Sequence, residues 1–466
     1  MSTKRISFVE IILWLFVVLL IVLAAAPFAL GFKVKSDYTK LVSEFAQNLQ
    51  LDLQIVQYEQ GIFSSDVTIA LKIPDVPEQI QFKEEVIHGP VYFGLLQQGK
   101  SPLAAAVVKG GLDISTAQQA SVKQIFGDQN PLVYQSIISF AGDVEAQAYV
   151  PAINTTFEDD MGPVTLQSSG LIINETYSSS DSRLKGDAQI PVFKIQLALF
   201  SVTAESISFS FSGAMGQNQI IIGDSVASFK LLDIDSGEDQ FAVRDFTIRS
   251  VTSEEGALIN SGAQLSAREI LASNQKFGPA SLNLSLNGLD AQSLTQIQKL
   301  QKDAETQLEQ GVPAEQINAM MTNEIMALVP NLIKEAEINI NPLSINSELG
   351  KLEADMDFML EGVGADTPAD PMFLLSAISL NLNISVDEPL LKQFVSWQMP
   401  VEESSEQKVK DNIDAMISES WLVMNEGVYI SNISMHQGEL VLNGKPVDPM
   451  QQIMSTMGGP GAQAAP

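Results

Sequence analysis

A chain of 466 residues with 45% hydrophobic side chains has the material for roughly two to four domains with buried cores. Its 56 acidic against 26 basic residues give a net charge of -30, which repels nucleic acid and the anionic surface of a bilayer and so excludes nucleic acid as a partner of the folded body. The absence of cysteine excludes disulfides, thiolate nucleophiles and every Cys-containing zinc site, and leaves the compartment to be read from targeting.

The first ten residues, 1–10, read as a cytoplasmic tail containing Lys4 and Arg5. From Ile11 to Phe32 the chain runs IILWLFVVLLIVLAAAPFALGF without a charge, and a helix of that length spans bilayer hydrocarbon, so residues 11–32 are expected to be a transmembrane helix that also serves as the membrane contact. A cleaved signal peptide competes through the small residues of LAAAPFA. The apolar run is longer than an ordinary signal core, however, and Pro27 follows the alanines awkwardly. No later segment has eighteen uncharged apolar residues, so one crossing leaves the rest of the chain on the exported side.

Residues 33–290 read as a β-rich region opened by a short helix at 43–50. Leu51, Leu53 and Ile55, then Val67, Ile69, Leu71 and Ile73, alternate with polar neighbours and predict a hairpin that turns around Glu59 to Gly61 and ends at Pro74. Further alternating segments fall at 207–211, 220–222, 282–286, 338–340, 352–359 and 378–384. A helical insert covers 291–336: Leu294, Ile297, Leu300, Ala304 and Leu308 make one apolar stripe, and Pro313 opens a second helix carrying Ile317, Met320, Met321 and Met326. Residues 337–449 read as a C-terminal α+β region, with helices after Pro389 and over 407–424 and a hairpin turn at Asn443-Gly444. The wording ASLNLSLNGLDAQSLTQIQKL from Ala280 returns loosely as AISLNLNISVDEPLLKQFVSW from Ala377, a strand followed by a helix each time. Residues 450–466, ending GGPGAQAAP, carry no core pattern and read as disordered. The fold class expected is α+β, mainly antiparallel β-sheet with amphipathic helical inserts, preceded by one N-terminal transmembrane helix.

Tyr58, Gly61, Phe63, Ser64 and Ser65 form a Y-x-x-G-x-F-S-S pattern, HGPVYFGLLQQGKSPLAAA follows from His88, and GVYISNISMHQGELVLNGKPV closes the chain from Gly427. In this order, after an apolar N-terminal run, the chain resembles the YdgA-like family of bacterial envelope proteins, which has no established activity. The resemblance implies an inner-membrane protein, single-pass, with its N-terminus cytoplasmic and its bulk periplasmic, capable of self-association.

Chemistry-bearing motifs are sparse. Ser64 and Ser65 lack a Gly-x-Ser-x-Gly elbow and any histidine close in sequence, and read as small residues beside a turn. His88 and His436 are the two histidines, each in a turn-like context, and without cysteine they do not make an ordinary zinc site. No Gly-x-Gly-x-x-Gly loop occurs, and GLLQQGKS over 94–101, which fits the Gly-x-x-x-x-Gly-Lys-Ser spacing, is a motif match by letters alone and assigns no phosphate site. The acidic turn DIDSGEDQ over 233–240, with Asp233, Asp235 and Asp239, offers oxygens to a hard cation but departs from the EF-hand at Gly237, and EDDMG over 158–162 is another charged loop. No catalytic, cofactor or metal residue is therefore assigned. The expected function is binding or scaffolding in the envelope through an envelope protein or lipid ligand, the alternative being a periplasmic carboxylate-dependent hydrolase. For the sheet itself two outcomes are open: the helices of 291–335 cover its apolar face as a dry core, or that face stays open to acyl chains.

Overall fold

The computed structural model describes residues 52–60, 64–72, 79–88, 91–116, 118–159, 162–218, 220–237, 239–309, 312–362, 376–399 and 405–447. The expected membrane helix at 11–32, the short helix at 43–50 and the tail at 450–466 lie outside them, as do Gly61–Phe63, Pro74 and the Gly-Pro after His88. Among the described residues no helix is long and apolar enough to cross a membrane. The chain divides into two compact units, one comprising the described residues up to Met215 together with Gly223–Asp239, the other Gly216–Ile222 together with the residues from Gln240 onward.

In the first unit, β1 (Asp52–Gln60) and β2 (Ser64–Lys72) form the hairpin read from the sequence, paired from Asp52↔Lys72 to Gln60↔Ser65. The antiparallel order continues through β3 (Ile80–His88), β4 (Ala106–Asp113), β5 (Val133–Ile138) and β6 (Val144–Val150). A hairpin of β7 (Ile153–Asp159) and β8 (Gly162–Ser168) then leaves the line, and β9 (Leu171–Ser178) returns beside β6. The long β10 (Arg183–Gln196) takes β9 along its first half and β8 along its second, with β11 (Ser201–Met215) on its other side. Most of β12 (Ile221–Asp235) also belongs here, and Ser208 and Ser228 share a hydroxyl hydrogen bond of 2.8 Å. A 3-10 helix at Phe93–Gln98 and α1 (Gln119–Phe126) fill the β3–β4 and β4–β5 connections. Alternation puts Val67, Ile69 and Leu71 of β2, Phe82 and Val86 of β3, Ala106 and Val108 of β4 and Ile173 of β9 into one packed core, whose burial is the main force holding this unit.

The second unit is a longer meander: β13 (Gln240–Glu255), β14 (Leu258–Ala267), β16 (Gln275–Asp290), β17 (Glu337–Ser347), β18 (Gly350–Leu360), β19 (Ile378–Asp387), β21 (Val428–His436), β22 (Glu439–Leu442) and β23 (Lys445–Val447), each antiparallel to the next. Short β15 (Glu269–Ala272) bridges β13 and β16, and β20 (Val423–Asn425) lies on β21. The turn between β22 and β23 is the one expected, with Asn443 and Gly444 both at positive φ (48° and 78°).

The helices α2 (Ala291–Glu309) and α3 (Ala314–Leu332) stand between β16 and β17 and match the insert read from the stripes. The helix after Pro389 is α4 (Glu388–Gln398). The last helix is shorter than expected: α5 (Glu406–Ser418) ends before Ser420 turns left-handed (φ 67°), and Val423 and Met424, assigned to it from sequence, belong to strand β20. Its start is fixed by Ser405, whose hydroxyl accepts from the Lys408 amide as an N-cap.

Candidate functional site: a half-buried apolar sheet face

The register of the second unit sorts its side chains by chemistry. Along one row Leu265, Leu282, Leu343, Ala354 and Ile384 lie side by side; along the next come Ala263, Leu284, Ile340, Met356, Leu382 and Ile433; a third holds Ser261, Leu286, Ile338, Phe358 and Leu380. The bulge at Asn341-Pro342 in β17 keeps Ile338 and Ile340 on the same face as Leu343 and Ile345 despite the change of parity. The other face is polar, tied by side-chain bonds such as Asn383 Nδ2 to Asp355 Oδ2 (2.7 Å), Asn339 Nδ2 to Ser285 Oγ (3.4 Å) and Asn283 Nδ2 to the Asn341 carbonyl (3.1 Å).

A sheet face this rich in Leu and Ile is ordinarily a core face, and its side chains are then closed off from solvent. Here none of the Leu, Ile, Met and Phe residues just named is fully buried, and Leu284 is 37% exposed, whereas on β21 the third row ends in Met435 and the first in Ser431, both buried. Among the described residues none of them joins a packed apolar cluster. The two ends of the same face are closed. At one end α4 and α5 place Leu390, Val395, Val409 and Ile413 against Phe277, Ile345, Leu352, Val386 and Tyr429. At the other, the first turn of α2 packs Ala291 and Leu294 on Ile259, Leu289 and Ile220. Among the described residues α2 and α3 pair with each other and each also approaches β16; Ala304 and Ile317 are buried, while Met320 and Met321 are half-buried and Met326 is exposed. From β14 to β21 the floor crosses six strands, about 24 Å at the usual strand spacing.

The floor also changes character along that width. At β13 and β14 it carries Ser250, Thr252 and Ser261, the last two hydroxyls 3.4 Å apart, whereas β16 to β19 contribute almost only aliphatic and thioether side chains. No charged residue stands in the three rows.

The first unit holds a different group of polar side chains, facing its core. Ser65 Oγ lies 2.9 Å from His88 Nε2, because Ser65 pairs with Val86 and the ring two residues further projects from the same face. Sequence reading missed this pair; counting along the β2–β3 hairpin is the signal that would have found it. With Ser65 only 1% exposed it offers no surface to a substrate, so the hydroxyl fills a packing position. The Tyr134 hydroxyl donates to Glu84, and burial together with that carboxylate pushes its pKa well above the usual range. Glu175 stands alone: it is 3% exposed, neither carboxyl oxygen has a hydrogen-bond partner, and burial pushes its pKa up to about 9.

Among the described residues no group of three or more His, Asp and Glu gathers closely enough to hold a metal ion. In the acidic turn at 233–239, Asp235 Oδ1 accepts from the Gly237 amide at 2.8 Å. His436 is exposed on β21, with Nδ1 3.8 Å from Glu361 Oε1. Comparison with known proteins gives one family match, over residues 8–450, to a family described as a bacterial protein of unknown function (DUF945). No curated protein and no solved structure matches the chain.

Proposed function

Since the chain belongs to this bacterial family of unknown function, we propose a role from its own chemistry: an anchored, non-catalytic envelope protein that holds the acyl chains of a lipid on the half-buried apolar face between β13 and β21. The observation that carries this reading is the three rows of mainly apolar side chains that stay only half-buried between two closed ends. Covering each such side chain with hydrocarbon contributes about 1 kcal/mol, so a chain lying across several of them is held firmly. The uncharged run from Ile11 to Phe32 behind Lys4 and Arg5 supports an inner-membrane anchor with the body in the periplasm, which would keep that face near a source of lipid. Catalysis is not part of the proposal, because the reading needs only an apolar surface.

The test is direct. Full-length protein purified in mild detergent is expected to carry phospholipid detectable by mass spectrometry of an organic extract. Leu382→Asp, which sets a carboxylate in the middle of the floor, is expected to remove it while the melting temperature changes little, since the position is half-exposed in the wild type. Wild-type protein that is folded and free of lipid, or a variant that retains as much lipid as the wild type, defeats the reading.

A further inference from the structure

The trough has a polarity of its own, and it bears on which lipid it takes. On β13 and β14 the floor presents the hydroxyls of Thr252 and Ser261, 3.4 Å from each other and half-buried. In the same rows, Leu380 and Leu382 of β19 stand four strands away from β14, about 19 Å at the usual spacing. The bond between the two hydroxyls uses one of their two protons, and the other is left to donate, which suits an ester carbonyl or a glycerol oxygen; a bare hydrocarbon would offer it no acceptor. The aliphatic end offers nothing to a polar group. Nor is there a cation in the three rows to neutralise a phosphate, which must therefore stay in water at the rim.

Resting on the acyl-binding reading above, we infer that the ligand is a glycerolipid bound in one orientation, its ester and glycerol segment over the Thr252–Ser261 corner and its acyl chains running across the strands toward β19. The absence of cysteine from the chain makes any introduced thiol unique, so the orientation can be read by site-specific labelling.

Ala263→Cys on β14 and Leu382→Cys on β19 lie in one row and each carries a fluorophore in the full-length protein. The probes are two phosphatidylglycerol analogues, one with a nitroxide quencher beside the glycerol and one with it at the acyl terminus. The glycerol-side quencher is expected to dim the label at 263 severalfold more than the label at 382, and the acyl-terminal quencher is expected to do the reverse. Equal dimming at both sites, or the opposite pattern, overturns the orientation while leaving acyl binding intact. If neither analogue dims either label and unlabelled protein carries no lipid, the acyl-binding reading falls with it. As an independent readout, Thr252→Val combined with Ser261→Ala is expected to weaken binding of the glycerolipid roughly fivefold to tenfold while binding of a hexadecane probe is unchanged. Equal loss for both probes, or for neither, also overturns the assignment.

Discussion

Glu175 is a carboxyl group folded into an apolar interior without a partner, packed near Gly186 and on the row that leads to Phe211. Its pKa is raised from 4.5 to about 9, so between those values the folded chain holds a proton that the unfolded chain has released. Stability conferred by the rest of the unit is therefore eroded as pH rises through that window, by about 3 kcal/mol at pH 7, and not at all below pH 4. Glu175→Gln removes the ionisation, and is expected to raise the denaturation midpoint at pH 8 but to match the wild type at pH 4, as urea titrations at the two pH values would show; equal effects at both would refute the burial argument. Ser65 makes the opposite case. Its bond to His88 lies in a packed core, and Ser65→Ala leaves the ring short of that partner, so a loss of about 1 to 3 kcal/mol is expected in the same assay. The Ser65–His88 pair becomes legible only once the β2–β3 register is known, and the isolation of Glu175 was not legible at all, because it depends on what lies across the core.

At the level of elements, alternation did most of the work. The hairpin at 52–72 and the segments around 207–211, 282–286, 338–340, 352–359 and 378–384 all fall within observed strands, and the helical stripes of 291–309 and 314–332 became α2 and α3. Strand lengths of fourteen to sixteen residues in β10 to β13 and β16 were not legible, since their interiors contain Ser, Gly and Lys that interrupt the apolar period without ending the ladder. The cover over the sheet was not legible either: alternation reports that one face is apolar and is silent about what lies on it. The strand-then-helix wording repeated from Ala280 and Ala377 did correspond to like pieces, β16 with α2 and β19 with α4. At the closed end, Leu390 of α4 is wholly buried, and Leu390→Ala is expected to cost about 2 to 5 kcal/mol, measured as a lowered unfolding midpoint. Because that cluster does not include the open rows, the lipid content per folded molecule should stay the same; a parallel loss of lipid would mean that the end cap shapes the floor.

For the molecule as a whole, the reading depends on which side of the membrane the body occupies. A reporter enzyme fused after Pro466 is expected to be active only in the periplasm, and activity in the cytosol would remove lipid access through the outer leaflet from consideration. The excess of 30 negative charges offsets the half-buried apolar strip, since like charges on the polar surface oppose clumping of one copy on another. The arrangement of helices has an arithmetic consequence. β16 and β19 run in opposite directions because three ladder steps separate them, and so α2 and α4 leave from opposite margins of the sheet. Lengthening the meander by a complete hairpin would preserve that opposition and add about 10 Å to the width. Inserting a single strand would send both helical pairs to one margin and strip the other bare. Homologues of different length should therefore differ in this region by even numbers of strands, each pair widening the apolar face without disturbing its two closed ends.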